Sequence, residues 1–401
     1  MTFNLTKFVM YFVLLNAAKI PLAFLGFHHS LASFLQLSLI LSFGIAILIN
    51  ENGKVGDLFS SAFFLYHAVM IMKQYLLFTA GANASISSVA ISLSASRVLS
   101  LYFLYIIFKH RVSNFNGEAV LKILIFYLAL TSTVSALQTP LSPLSEILIS
   151  RLNDITSGNH LGYFRSTGGV GGTVIDYAVY LSFCSLLFFI FRHQKKKILS
   201  MAYIIAFGFG VYFAFSRSLF VISVFVISML TFTYGRRIAI LTILLFAILI
   251  IIKLDIILHY LNLIQELSAE LSGQSDVSRL NGWSAALNEV SVVEILFGVA
   301  VGVNSGFGSI GGKVSGDGFA VTYIAEYGVF GLILLALMMY KFLTLFYKDG
   351  IYKLISFLAL AFTILVNSGF EKVFNYGYFF IIIATSSFFI PKRDIVAKNA
   401  I

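Results

Sequence analysis

The chain has 401 residues, of which 59% are hydrophobic and 11% are charged, and its net charge is +10. A soluble domain carries about 25% charged residues; a chain this apolar cannot clothe itself for water, so lipid must be its solvent. A single cysteine, Cys184, excludes an intramolecular disulfide, and basic residues in short clusters between apolar runs read as loop charge facing anionic headgroups, not as a nucleic-acid surface.

A membrane span needs about 20 apolar residues. Twelve candidates follow in chain order: about 6–27, 31–50, 58–79, 86–108, 119–138, 173–191, 198–215, 217–234, 237–254, 318–344, 351–369 and 374–390. The seventh and eighth are separated only by Ser216-Arg217, and one bent helix plus a short one is the alternative reading there. The first run has no basic leader beyond Lys7 and reads as a retained span. The chain therefore divides into helices 1–5 (1–138), an outer loop (139–172), helices 6–9 (173–254), a larger outer loop (255–317), and helices 10–12 with the C-terminus (318–401).

Orientation comes from the basic residues. Lys109-His110-Arg111, Arg192 with Lys195-Lys196-Lys197, Arg236-Arg237, Lys348 with Lys353, and Lys392-Arg393 fall in alternate loops. If those loops are cytoplasmic, 17 Lys/Arg lie in or beside cytoplasmic loops, 7 lie outside and 3 lie within spans, and both termini are inside. Each long outer loop carries an amphipathic pattern. After Pro143, placed for a first helical turn, Leu144, Ile147, Leu148 and Ile155 recur near helical spacing. Asp276 is placed to cap a helix on which Leu280, Trp283 and Leu287 share a face, with Arg279 one turn from Trp283. Such helices are expected at the membrane interface, roofing a cavity.

Motifs of soluble enzymes are missing: there is no Walker loop, GxSxG, CxxC or HExxH. His67, His160 and His259 lack metal-ligand spacing. The stretch Ser166-Thr-Gly-Gly-Val-Gly-Gly-Thr173 lacks the lysine of a phosphate loop and reads as a tight turn admitting close approach of a ligand, or as a flexible loop entry.

The chemistry points to outward-facing cations. Arg165, Arg217 and Arg279 lie in or against the outer loops, and Arg217 is flanked by apolar sequence on both sides. A charge held there costs about 2.5–3.5 kcal/mol on insertion scales and calls for an anionic partner. A guanidinium is planar, stays protonated and grips phosphate oxygens with two donors; an ion pair with a carboxylate is the structural alternative. Lys19, Lys73 and Arg97 fall within spans. They are candidates to line the same cavity and hold a diphosphate, although snorkelling accounts for the two lysines almost as well. Asp317 sits between glycines where the tenth span begins, placed either to take a proton from a sugar hydroxyl or to cap the helix, with Glu326 further along the same span.

Three stretches carry a resemblance. Phe215-Ser216-Arg217-Ser218 resembles a Ser-Arg step between spans. Arg279-Leu-Asn-Gly-Trp283, followed by Glu294-Ile-Leu-Phe-Gly298-Val-Ala-Val-Gly302, resembles an Arg…Trp…Gly-x-Gly segment. Gly316-Asp317-Gly-Phe-Ala-Val-Thr-Tyr-Ile-Ala-Glu326-Tyr-Gly328-Val-Phe-Gly331 resembles a final motif leading into a span. In this order they are similar to the O-antigen polymerase and ligase superfamily of bacterial inner membranes, the Wzy and WaaL type, over about 160–340. Ligases of that family carry His-Asn where this chain has Asp317-Gly318, which favours the polymerase branch.

The resemblance implies an all-α, GT-C-type glycosyltransferase that works without metal or cofactor at the periplasmic face. It would join repeat units carried on undecaprenyl diphosphate. Its partners would be that lipid-linked oligosaccharide, the bilayer and a chain-length-regulating membrane protein. On this reading Arg217, Arg279 and Asp317 are catalytic, and Arg165, Arg97, Lys73, Trp283 and Glu326 bind substrate. The rival readings are a ligase acting on lipid A core and a flippase for lipid-linked oligosaccharide.

Overall fold

The computed structural model describes residues 4–27, 30–51, 56–80, 88–111, 115–139, 142–152, 166–170, 174–190, 197–214, 291–298, 319–348, 350–366 and 373–389, with isolated positions at 219, 223, 224 and 226. Every regular element among them is helical. The helices are α1 (Leu5–Ala17), α2 (Lys19–Phe24), α3 (Ser30–Asn50), α4 (Leu58–Thr79), α5 (Ser88–Arg111), α6 (Gly117–Leu137) and α7 (Ser145–Leu152). They continue with α8 (Val174–Cys184), a 3-10 turn (Ser185–Ile190), α9 (Lys197–Ala214), α10 (Val292–Phe297), α11 (Phe319–Phe346), α12 (Gly350–Val366) and α13 (Val373–Phe389). Among the described residues, six helical stretches are long and apolar enough to cross a membrane: Leu5–Phe24, Leu31–Asn50, Leu58–Thr79, Ile91–His110, Gly117–Leu137 and Glu326–Phe346. Shorter apolar helices cover Asp176–Phe188, Leu199–Ala214 and Gly350–Ile364. This is the architecture of an α-helical membrane protein. Expected spans 217–234 and 237–254 lie almost wholly outside the described residues, as does the helix expected after Asp276.

The up-and-down order is visible in contacts between helix ends. At one end, the Asn116 N–H donates to Thr6 Oγ1 at 2.8 Å, joining the starts of α1 and α6. The Lys109 ammonium reaches Asp57 at 3.4 Å, joining the end of α5 to the start of α4. Tyr347 bonds Ser386, joining the ends of α11 and α13. Asp57 caps α4 by accepting the Ser60 N–H at 2.9 Å, while Ser60 Oγ accepts the Asp57 N–H at 3.1 Å. The basic residues Lys109, Lys122 and Lys348 sit at this end, in agreement with the alternation of charge along the sequence.

Lipid tails are as apolar as leucine, so helices in a bilayer associate through close packing and internal polar contacts. Small residues permit the close packing. A Cβ on Gly44 would lie 2.1 Å from the Phe103 ring, and one on Gly377 would lie 2.1 Å from the Phe12 ring. Residues 91–110 of α5 and 375–384 of α13 are the most enclosed, whereas Ile49, Leu65, Met72, Phe126 and Leu354 project their apolar surface outward. A polar tie runs through the core: Asn16 Nδ2 donates to Tyr127 Oη at 2.5 Å and to Tyr378 Oη at 3.3 Å, linking α1, α6 and α13.

Three expected spans are continuous in hydropathy but not in backbone. The first divides at Ala18 into α1 and α2, because Pro21 has no N–H to give Ala17 and its ring crowds that carbonyl. The sixth tightens into a 3-10 turn after Cys184, whose carbonyl accepts the Tyr203 hydroxyl. The tenth, α11, breaks at Gly328, where φ is 70° and ψ is 175°. The amphipathic helix of the first outer loop is present as α7, but it begins at Ser145; Pro143 lies in the preceding turn instead of the first helical turn. Leu148 turns inward onto Ala23 and Val134, while Leu144 and Ile147 remain half exposed.

Candidate functional site

Among the described residues, two further polar assemblies interrupt the apolar bundle. The first surrounds the break in α11. Arg97, on α5, donates to Glu326, on α11, at 3.0 Å, and both side chains are buried. Ser94, nearly one turn from Arg97, approaches the same carboxylate oxygen at 3.5 Å. His67 of α4 lies in the same layer. Its Nδ1 is 2.6 Å from the Phe63 carbonyl, which can only accept, so the proton is on Nδ1. That leaves Nε2 to accept the Tyr323 hydroxyl at 2.6 Å. The Tyr327 ring packs on His67 at 4.6 Å between centroids. At 1.5 Å rise per residue, His67 and Arg97 stand about 15 and 18 Å from the level of Asp57 and Lys109, near the middle of a 30 Å hydrocarbon layer.

The break itself is built by two glycines. Gly298, just past α10, has φ 85°, and a Cβ there would lie 2.4 Å from the Glu326 carbonyl oxygen. A Cβ on Gly328 would lie 2.2 Å from the Leu296 carbonyl oxygen. Only glycine on both sides lets the end of α10 press backbone to backbone against the open turn of α11. Carbonyls freed by such a break need donors where water is scarce. The Tyr66 hydroxyl supplies one, reaching the Tyr327 carbonyl at 2.8 Å and the Phe297 carbonyl at 3.1 Å. The segments 294–302 and 316–331, which carried two parts of the resemblance, thus meet at Gly298 and Gly328. Glu294 closes a capping box with Ser291, accepting its N–H at 2.9 Å and its hydroxyl at 2.7 Å. Those bonds hold Glu294 below the usual carboxylate range, and the nearby Lys73 ammonium adds to the effect.

The second assembly is the glycine-rich turn 166–170, buried against the ends of α6 and α9. Gln138, directly after α6, presents its side-chain oxygen to the Ser166 hydroxyl at 2.5 Å and to the Thr167 and Gly168 N–H groups, each at 3.2 Å. Its side-chain nitrogen donates to Thr167 Oγ1 at 3.1 Å. Gly168, at φ 59°, lies where a Cβ would fall 2.7 Å from the Tyr177 ring. The Lys19 ammonium, itself buried, donates to the Val170 carbonyl at 2.8 Å. Lys19 therefore turns into the bundle, and snorkelling to an interface does not describe it. The Ser166 N–H donates to the Phe213 carbonyl at 3.0 Å. In the sequence, Arg165 directly precedes Ser166 and Arg217 follows Phe213 by four residues.

Of the expected site residues, Arg97 and Glu326 are each other's partners, and Lys73 stands exposed near the far end of α4, beside Glu294. Arg165, Arg217, Arg279, Trp283 and Asp317 lie outside the described residues. No group of three or more potential metal ligands occurs among the described residues. Gln138, Tyr66 and the His67–Tyr323 pair were not anticipated as site-building residues. The available signal was a polar residue set singly in or at the end of an apolar run. No protein-family model, curated protein or solved structure matches the chain.

Proposed function

We propose that the protein is a membrane-embedded glycosyltransferase of about twelve spans and GT-C-type architecture, an O-antigen polymerase joining undecaprenyl-diphosphate-linked repeat units at the periplasmic face of the bacterial inner membrane. The observation that carries this reading is the Ser166–Phe213 backbone bond. It ties the two arginine-bearing stretches together beside the buried Lys19 ammonium, at the helix ends opposite the basic loops. Cations carried on these two stretches would suit a leaving diphosphate.

In the proposed reaction an acceptor hydroxyl oxygen attacks the anomeric carbon of the donor sugar. The bond from that carbon to the diphosphate oxygen breaks, and the diphosphate departs on its lipid. Arg217 and Arg279 would meet the charge that develops on it, without a metal ion. Arg165 would assist or bind glycan, and Asp317 would take the acceptor proton. The intramembrane Arg97–Glu326 pair and Lys73 would line the approach on the donor side, with Trp283 against sugar.

The test is reconstitution. Purified protein in liposomes containing lipid-diphosphate repeat units should lengthen the glycan, with and without EDTA. Movement of the lipid-linked glycan across the bilayer without lengthening would instead favour a flippase, for which the broken α11 is the supporting feature. Transfer to lipid A core would favour a ligase.

A further inference from the structure

We infer that Gln138 is a positioning residue for the diphosphate site, acting through the glycine-rich turn; this rests on the function proposed above. Gln138 follows the last residue of α6 and is fully buried, and it works in two directions. Its side-chain oxygen gathers the Ser166 hydroxyl and two successive backbone N–H groups, while its side-chain nitrogen fixes Thr167 Oγ1. Its main-chain carbonyl accepts the Ser145 hydroxyl at 2.8 Å, at the first residue of α7. One residue thus clamps both margins of the segment that runs from α7 to Arg165.

A glycine-rich turn has little side chain with which to anchor itself, and apolar packing does not specify the direction of its N–H groups. The amide does, because each of its bonds has a fixed line. The turn held in this way passes its placement on. Its first residue, Ser166, is bonded to Phe213 at the end of α9, and its last, Val170, is bonded to Lys19. Arg165 is joined by one peptide to the clamped Ser166. A shift of the turn therefore displaces the attachment point of Arg165 and the carbonyl that orients the Lys19 ammonium, while leaving the helices in place. Gln138 itself touches no substrate in this scheme.

The experiment compares Gln138→Met, Thr167→Val and Thr167→Ser with the wild type in the reconstituted glycan-lengthening assay, with rates expressed per folded molecule and thermal unfolding followed in parallel. Methionine keeps the length of the side chain but loses its bonds. Valine keeps the shape of threonine without the hydroxyl, and this milder change tests the same clamp if Gln138→Met fails to fold. Misplacement of a catalytic group by about 1 Å lowers rates on the order of 100-fold, and a loss approaching that size is expected in kcat for Gln138→Met and Thr167→Val. Thr167→Ser, which restores the hydroxyl, should recover the rate, and the unfolding temperature of Thr167→Val should stay near that of the wild type. Wild-type kcat per folded molecule in the folded valine and methionine variants, with only stability lowered, would overturn the role of Gln138 and leave the proposed function standing. A wild-type protein that lengthens no glycan would overturn both.

Discussion

Arg97 and Glu326 are 229 positions apart in the chain and meet inside the bundle at 3.0 Å. Neither charge would be tolerable there alone, since an isolated ion in hydrocarbon is strongly disfavoured. Removing one partner strands the other, at a penalty of about 3–5 kcal/mol. Arg97→Leu and Glu326→Leu should each lower the unfolding temperature in detergent and the amount of protein recovered from membranes. The double variant should recover most of both, because a matched apolar pair is often close to neutral. A double variant no better than the worse single one would mean that the pair does not explain the burial of these charges.

The contact between Gly298 and Gly328 predicts that neither accepts a side chain. Each backbone lies at positive φ, and each added Cβ would fall within 2.4 Å of a carbonyl oxygen. A non-glycine residue held in such a conformation costs about 1–3 kcal/mol before any overlap is counted. Gly328→Ala and Gly298→Ala should therefore destabilise the protein by at least that amount and release α10 from α11. Faster protease cleavage near 291–298 would report the release.

Asp57 offers a test by pH at the opposite end of the bundle. Burial tends to raise its pKa. The hydrogen bonds from Tyr105 and the Ser60 N–H, together with Lys109, outweigh burial and bring the pKa below the ordinary 3.8. A depressed folded-state pKa adds stability above the unfolded value, and that stability is lost as pH falls through the folded value. Asparagine at this position keeps the cap but loses the charge. Wild type should be more stable than Asp57→Asn at pH 7, and the difference should close as pH drops below about 4. A gap of constant size from pH 7 to pH 3 would contradict this account.

Among the arginines, Arg217→Ala and Arg279→Ala should abolish glycan lengthening while the proteins still insert. Losses of about 100- to 1,000-fold are typical when a donor to a developing oxyanion is removed. Arg217→Lys should also be poor, because an ammonium lacks the two-pronged geometry of a guanidinium. Wild-type ladders of glycan length from the alanine variants would refute their assignment to the diphosphate.

Much of the fold was legible because lipid imposes a simple rule on sequence. Runs of about 20 apolar residues are spans, and the boundaries of α3, α4, α5 and α6 fall within a few residues of those runs. Interruptions were harder to read. Gly328 stands inside an expected span, and hydropathy does not register that the Leu296 carbonyl comes to lie against it. Arg97 and Glu326 each stood out as an intramembrane charge, yet their pairing depends on how α5 and α11 pack and has no local signature. Gln138 was hidden for a related reason: a lone amide at the end of a span looks like an ordinary boundary residue until the turn it holds is seen. The arginine roles came from the resemblance and from charge placement, whereas the Ser166–Phe213 bond between the neighbouring stretches is a purely tertiary feature.

The seating of α10 on α11 also bears on how the chain is made. Synthesis runs from N- to C-terminus, so α10 emerges before the surface that receives Gly298 exists. The open turn at Gly328 emerges without the neighbours that complete it. Tyr66, already threaded with α4, is the only one of these parts in position early. The newly made segment must therefore remain sheltered until α11 arrives, and a stall in translation between the two would leave a membrane intermediate with bare carbonyls, suited to capture by quality-control proteases.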